Sequence, residues 1–285
     1  MLVQPSIQPF PRTRFEPPRI QRAAPVLRTP GQNRILAALP PHEYARLLPG
    51  LEFVRLAVGQ TLHGAGNCEK HLYFLTTSIV SRAYVMENGD TAEFAITGNE
   101  GAIGIAAILG GDSTPSQSVV LSSGHAYRLR TELLKSEFAH GGALLALLLR
   151  YTHALIAQTG QVAGCNRHHS IEQRLCRWLL SCVDRAPSND LTLTQDLLAN
   201  ILGVRRESVT EAAQNLQKAG AIHYQRGHIT VLDRAGLKTR ACECYTAIQR
   251  EYDRLFPRVR IGATPPPRAT GSFNVRTSYV PRDTV

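Results

Sequence analysis

LTLTQDLLANILGVRRESVTEAAQNLQKAGAIHYQRGHITVLD, residues 191–233, decides how this chain of 285 residues is read. Thr194 is placed to N-cap a short helix whose core face holds Leu197, Leu198, Ile201 and Leu202. Gly203 permits a tight turn. A second helix is predicted to about Ala219, with Val209, Ala213 and Leu216 inward and Gly220 just past its end. AIHY and HITVL then predict two short strands around Gln225-Arg226-Gly227. Helix, tight turn, helix and two-stranded wing make a winged helix-turn-helix.

In this motif the start of the second helix enters the DNA major groove. The outward positions there are Arg205, Arg206, Glu207, Thr210 and Glu211. Arginine can bond guanine O6 and N7 together, and glutamate can accept from cytosine N4. Thr194 and Gln195 open the preceding helix, where side chains and amide N–H groups reach phosphate. Arg226 and His228 on the wing are placed for backbone or minor groove. A helical hairpin that merely packs on another domain leaves unexplained why the exposed turn is basic while the inward face is aliphatic.

Upstream, SIEQRLCRWLLSCVDR (170–185) predicts an amphipathic helix opened by a Ser170–Gln173 capping box, with Leu175, Trp178, Leu179 and Cys182 on one face. GCNRHH (164–169) reads as a break and hinge before it. Before the hinge, Leu144, Leu148, Tyr151, Leu155, Gln158 and Val162 repeat at coiled-coil spacing, which predicts a two-stranded dimer seam. The alternative is a single long helix packed on its own domain. This stretch carries Arg150, His153, Gln158 and Gln161, so no membrane span is expected.

Further upstream the pattern is β-rich. PHEYARLLPGLEFVRL (41–56) reads as a short helix leading into a strand. HLYFL (71–75), IVSRAYVM (79–86) and TAEFAIT (91–97) read as strands, with ENGD (87–90) as a hairpin turn. SVVLSSGHAYRLR (118–130) reads as a later strand pair, and Thr131 as the cap of a short helix to Phe138. The expected fold is α+β: an antiparallel β-roll of jelly-roll type, a long helix and a winged helix-turn-helix. The boundaries are a tail at 1–30, the roll at 31–140, the dimerisation helix at 141–165, the DNA-binding domain at 166–257 and a tail at 258–285.

Both tails are Pro- and Arg-rich and read as disordered. They also explain the net charge of +10, since each contributes +4. The overall basicity therefore says little about the folded part. Seven prolines among the first 30 residues, and no continuous apolar run, argue against a signal or transit peptide. The six scattered cysteines fit reduced thiols in a cytoplasm. No nucleophile elbow, dinucleotide loop or paired carboxylate stands out, and His63, His125 and His140 are isolated, so no enzyme is expected.

The helix-turn-helix, with its Gly-x-x-Arg-Glu-Ser-Val core at Gly203–Val209, resembles that of the Crp/Fnr superfamily of bacterial transcription regulators. GNEGAIG (98–104) and AAILGGDST (106–114) stand where that family has its phosphate-binding cassette. The resemblance covers about residues 40–233 and implies a homodimer on pseudo-palindromic double-stranded DNA, with RNA polymerase as a further partner. Departures matter too. Glu211 replaces a frequent last base-reading Arg, and Arg205 stands where a Ser or Thr N-cap is usual. The implied effector pocket is Gly104, Ile105, Ala106, Gln117 and Ser118; Ile105 and Gln117 stand where cyclic-nucleotide binders have a Glu and an Arg. Burying a phosphate without a cation is costly, so neither cyclic AMP nor cyclic GMP is expected. Residues 1–67 hold no cysteine, so no iron–sulfur cluster of the family's N-terminal type is expected.

Two features stay outside this reading. Cys165, His168 and His169, with Cys176 a helix away, are metal-ligand types without a recognised zinc spacing. Cys242 and Cys244 lie on a predicted last helix from near Asp233, which would point their thiols apart. Inert thiols and no metal are the expectation. The alternative function is a ligand-binding module whose helix-turn-helix meets protein, favoured by Glu207 and Glu211 on a face that would meet a polyanion.

Overall fold

In the computed structural model, residues 29–256 are described; the two predicted tails lie outside them, apart from Thr29 and Pro30. Two short helices, α1 (Arg34–Ala37) and α2 (Pro41–Leu47), precede eight strands. These are β1 (Glu52–Leu56), β2 (Thr61–His63), β3 (His71–Leu75), β4 (Ile79–Val85), β5 (Thr91–Thr97), β6 (Ala102–Ile103), β7 (Ser116–Ser122) and β8 (Gly124–Arg130). They form two four-stranded antiparallel sheets, β1-β8-β3-β6 and β2-β7-β4-β5. The Asn88-Gly89 turn joins β4 to β5 as the sequence predicts, with Val85 opposite Thr91. The predicted strand pair at 118–130 is a pair only in sequence. β7 and β8 are separated by Ser123 alone and enter different sheets, so the chain turns a corner of the roll there.

Helix α3 (Thr131–Ala139) starts on Thr131, whose hydroxyl donates to the Glu69 carbonyl at 2.6 Å rather than capping the helix. Helix α4 (Ala143–His168) follows. Its first N–H groups, from Ala143 and Leu144, donate to the two Glu43 oxygens at 2.8 and 3.0 Å. The Ala143 bond leads in holding that carboxyl below its usual range. A carboxylate at a helix N-terminus also complements the macrodipole.

The predicted dimer seam lies inward. Leu144, Leu148, Tyr151, Leu155, Gln158 and Val162 are all buried within this one chain, against the roll and the last helix. The heptad period is present, but the roll consumes it. Gly101 makes this approach possible: a Cβ there would sit 2.3 Å from the Tyr151 ring. The helix runs unbroken through Gly164 and Cys165, and the break falls at His169, the last residue of the predicted hinge. Burial of Val162 and Cys165 on either side offsets the roughly 1 kcal/mol cost of an internal glycine.

The C-terminal part holds α5 (Ile171–Val183), β9 (Asp190–Thr192), α6 (Gln195–Leu202), α7 (Arg206–Lys218), β10 (Ile222–Gln225), β11 (His228–Val231), α8 (Arg234–Arg240) and α9 (Cys244–Leu255). The Ser170–Gln173 capping box opens α5 as predicted. Its core is continuous with Ile79, Ile96 and Leu121 of the roll. The single last helix predicted from Asp233 is two helices. Ala241 takes an extended conformation, and α9 folds back so that Ile248 and Tyr252 join the core beside α4. Among the described residues no helix is long and apolar enough to cross a membrane.

Candidate nucleic-acid interface and effector pocket

Thr194 caps α6 by accepting the Leu197 N–H at 3.2 Å. Leu198, Ile201 and Leu202 are buried and Leu197 half-buried, as the helical period requires. Gly203 ends α6 at φ +60°, ψ +45°, a left-handed conformation that glycine enters without steric cost. Helix α7 then begins at Arg206 and buries Val209, Ala213 and Leu216. Arg205 is its N-cap residue and makes no side-chain cap. No side chain of that residue therefore competes for the first-turn amides, which suit an anion.

Arg205, Arg206, Glu207 and Glu211 are exposed and Thr210 half-buried on this outward side. Thr210 is partly spent, since its hydroxyl donates to the Arg206 carbonyl at 3.0 Å. Arg206 is held from across the turn: its Nε lies 3.4 Å from Gln195 Oε1 and 3.4 Å from Asp196 Oδ1. The starts of the two helices are thereby brought together. The wing joins them. Arg226 and Gly227 both take positive φ in the two-residue turn between β10 and β11. Gly227 lies beside Thr194, and its carbonyl accepts the Leu193 N–H at 2.7 Å. Arg226 and His228 are exposed on that wing. Of the predicted DNA-facing residues, Thr194, Gln195, Arg206 and the wing turn thus converge on one edge.

The effector-pocket residues converge less well. Gly104, at φ +106°, leads into a 3-10 turn at Ile105–Ile108, with Ile105 buried. Ser118 is buried on β7, opposite both Arg82 and His63. Gln117 alternates to the other face of that strand and is half-buried. The sequence reading missed what fills the interior. Glu69 is 1% exposed, and its carboxylate accepts the Ala106 N–H at 2.7 Å. Burial pushes that carboxyl up, while the Ala106 bond and Arg82 pull it down. Arg82, from β4, is 6% exposed, and its Nε and Nη1 make no hydrogen bond with another described residue. Its guanidinium lies 5.4 Å from the Phe94 ring centre. Burial pushes the nearby His63 imidazole down to about 4, so it is neutral at pH 7. An arginine inside the apolar strand IVSRAYV was the available signal for this cation.

Residues 173–240 match the sequence model of the Crp-like helix-turn-helix domain. The chain has the Crp/Fnr fold and carries a Crp-like helix-turn-helix domain. A Crp/Fnr-family transcriptional regulator from Eubacterium rectale superposes with a TM-score of 0.59 at 16% identity, over 72% of this chain and 96% of that one. FixK2 from Bradyrhizobium japonicum gives 0.58 at 14% identity, over 67% and 98%. The c-di-GMP-responsive global regulator CLP of Xanthomonas campestris gives 0.56 at 15% identity, over 68% and 100%. No curated protein sequence matches the chain.

Against this Crp/Fnr frame the departures are local. The turn in the cassette position is held by a carboxylate, since Glu69 accepts the Ala106 N–H. The roll does contain a buried cation, but Arg82 supplies it from β4, opposite Ser118, rather than from the cassette. Glu100, within the GNEGAIG turn, pairs with Arg185 at 2.6 Å and so ties the turn to the end of α5.

Proposed function

We propose that this Crp/Fnr-type chain is a sequence-specific DNA-binding transcription regulator that acts by binding and carries no catalysis. The observation that carries the reading is Arg206, exposed at the first turn of α7 and braced by Gln195 and Asp196. A braced arginine loses less side-chain entropy when it meets a guanine edge. Thr194, Gln195, Arg205 and the wing residues Arg226 and His228 serve the backbone; Glu207, Thr210 and Glu211 face the bases. Glu211 then favours cytosine at the last position, where accepting from N4 is its available chemistry.

The homodimer uses the outer face of α4. Ala146, Leu149, His153, Ile156, Gly160, Ala163 and Arg167 repeat at the same heptad spacing as the buried stripe, on the opposite side. Leu149 is 50% and Ile156 66% exposed, while the alanines and Gly160 allow close helix approach. Two recognition helices then meet a pseudo-palindromic site, with RNA polymerase as the further partner. Neither cyclic AMP nor cyclic GMP is the effector. A cyclic phosphate would have to displace Glu69 from the turn, whereas Arg82 and Ser118 offer an anion a different place.

The test is selection of bound fragments from a random double-stranded DNA pool by the purified protein, with and without cell extract. Enrichment of a two-fold-related motif supports the reading. Failure to enrich any sequence in either arm refutes it in favour of protein contacts by the helix-turn-helix.

A further inference from the structure

Four side chains that sequence spacing kept apart meet at the elbow between α4 and α5. Cys165 Sγ lies 3.5 Å from Cys242 Sγ, and Cys244 Sγ 3.5 Å from His169 Nδ1. All four potential ligand atoms fall within 4.8 Å of one another. Three come from buried thiols and one from a half-buried imidazole. The break at Ala241 makes this possible. Cys242 sits in the corner between α8 and α9, so it is freed from the helical geometry that would have pointed it away from Cys244. His168 and Cys176, grouped with Cys165 by sequence, are not in the cluster.

We infer that Cys165, His169, Cys242 and Cys244 form a Cys3His site for a thiophilic divalent metal, zinc by its chemistry. A tetrahedral zinc with about 2.3 Å zinc–sulfur bonds has sulfur–sulfur edges of about 3.8 Å. The Cys165–Cys242 pair at 3.5 Å is close to that edge, the Cys244–His169 pair at 3.5 Å fits the shorter sulfur–nitrogen edge, and the widest pair, at most 4.8 Å, closes by about 1 Å or less. The surroundings fit as well. His169 presents Nδ1 to the cluster and Nε2 to Glu243 Oε1 at 3.2 Å. A carboxylate on the remote nitrogen fixes the tautomer that a metal-bound imidazole needs. Gln161 Nε2 donates to Cys244 Sγ at 3.0 Å, as second-layer donors to metal thiolates do.

Charge is matched too. Zinc with three thiolates and a neutral imidazole carries −1. Arg174 and Arg177 on α5 are 7% and 6% exposed, and the Nε of each has no hydrogen-bond partner among the described residues. Both interact electrostatically with Cys165. On binding, three thiols release their protons to solvent, three metal–sulfur bonds and one metal–nitrogen bond form, and no electron moves. The site joins the C-terminal turn of α4 and the elbow after it to the α8–α9 corner. It would therefore fix the DNA-binding domain on the long helix.

The experiment uses the full chain, reduced and demetallated under anaerobic conditions, then titrated with Co2+ and with Zn2+. One Co2+ per chain with sulfur-to-cobalt charge transfer and tetrahedral visible bands, displaced by Zn2+, is expected. Cys242→Ser and Cys244→Ser should each weaken Co2+ at least 10-fold, and Cys68→Ser should change nothing. Glu243→Gln should keep the spectrum but lower affinity about 10- to 100-fold. Should a cysteine variant not fold, protection of thiols in the wild-type chain decides. Zn2+ must shield Cys165, Cys242 and Cys244 from alkylation, located by peptide mass, while Cys68 still reacts. No stoichiometric binding, or binding that leaves those three thiols as reactive as before, overturns the assignment. None of these readouts involves DNA.

Discussion

Glu93→Gln should stabilise the protein at pH 8 and do little at pH 5. Glu93 stands on β5, 8% exposed, at the boundary between the roll and the helix-turn-helix domain. Its two oxygens accept the Trp178 Nε1–H at 2.6 Å and the Ser81 hydroxyl at 2.5 Å. Burial pushes its carboxyl up to about 7, against the pull of those two donors and of Arg177 and Arg185. An unfolded glutamate loses its proton near 4.5, whereas the folded one keeps it to about 7. Between those values the native state binds more protons, so stability falls as pH rises through that window and levels off above it. The gap corresponds to about 3 kcal/mol at full ionisation. Glutamine keeps an acceptor for Trp178, offers an N–H to the Ser81 oxygen and cannot ionise. The assay is urea unfolding at constant ionic strength, followed by the fluorescence of Trp178, the sole tryptophan. The variant should exceed wild type by roughly 1–3 kcal/mol at pH 8 and match it near pH 5. Taking the difference cancels histidines and other groups that titrate alike in both. A difference independent of pH, or a variant weaker than wild type at pH 8, would refute the assignment of a protonated carboxyl at this boundary.

Three other outcomes follow from the same geometry. Arg206→Ala should cost about 1–3 kcal/mol at a selected site and relax base preference at one position, read by competition gel shifts; unchanged affinity and specificity would remove α7 from the groove. Ile156→Glu, on the outer face of α4, should convert the dimer to monomer in light scattering without lowering the unfolding midpoint of the monomer; a persistent dimer sinks the outer seam. Glu43→Ala deprives the first two amides of α4 of their acceptors. It should lower stability by about 1–2 kcal/mol in urea titration, and no loss would show that solvent replaces the carboxylate there.

The helix-turn-helix and its wing were legible because their signals are local. A Thr cap, a left-handed glycine and a two-residue wing turn each act within four residues, and each is where the sequence placed it. What sequence spacing could not decide was whether the apolar face of α4 meets a second copy or its own roll. On α4, the Leu144–Val162 stripe and the Ala146–Arg167 stripe share one period. Gly101, distant in sequence, lets the Leu144–Val162 face close on the roll. The thiol cluster was hidden for a similar reason. Leu237, Ala241, Tyr245 and Ile248 keep a helical rhythm straight across a break, so nothing in the spacing showed Cys242 leaving the helix. Strand partners failed likewise: β7 and β8 look like a hairpin, but the one-residue corner between them sends them to different sheets.

The contacts that orient the helix-turn-helix on the roll are directional ones. Apolar burial at Ile79, Ile96 and Leu121 holds the two parts together but tolerates rotation, because the hydrophobic effect has no preferred angle. Hydrogen bonds between charged or polar groups do have one. Glu93 with Trp178, Glu100 with Arg185, and Gln158 with Tyr252 each tie the roll or α4 to the C-terminal part. Helix α5 then passes its position on, since Arg174 donates to the Leu202 carbonyl at the end of α6. Ser81, which holds Glu93, adjoins Arg82 on β4. An anion drawing on the unpaired nitrogens of Arg82 therefore acts one residue from the bond that fixes Trp178. On the proposed reading, an anion at Arg82 on β4 and DNA at α7 need no long path between them, because helix α5 bonds to both Glu93 and the end of α6.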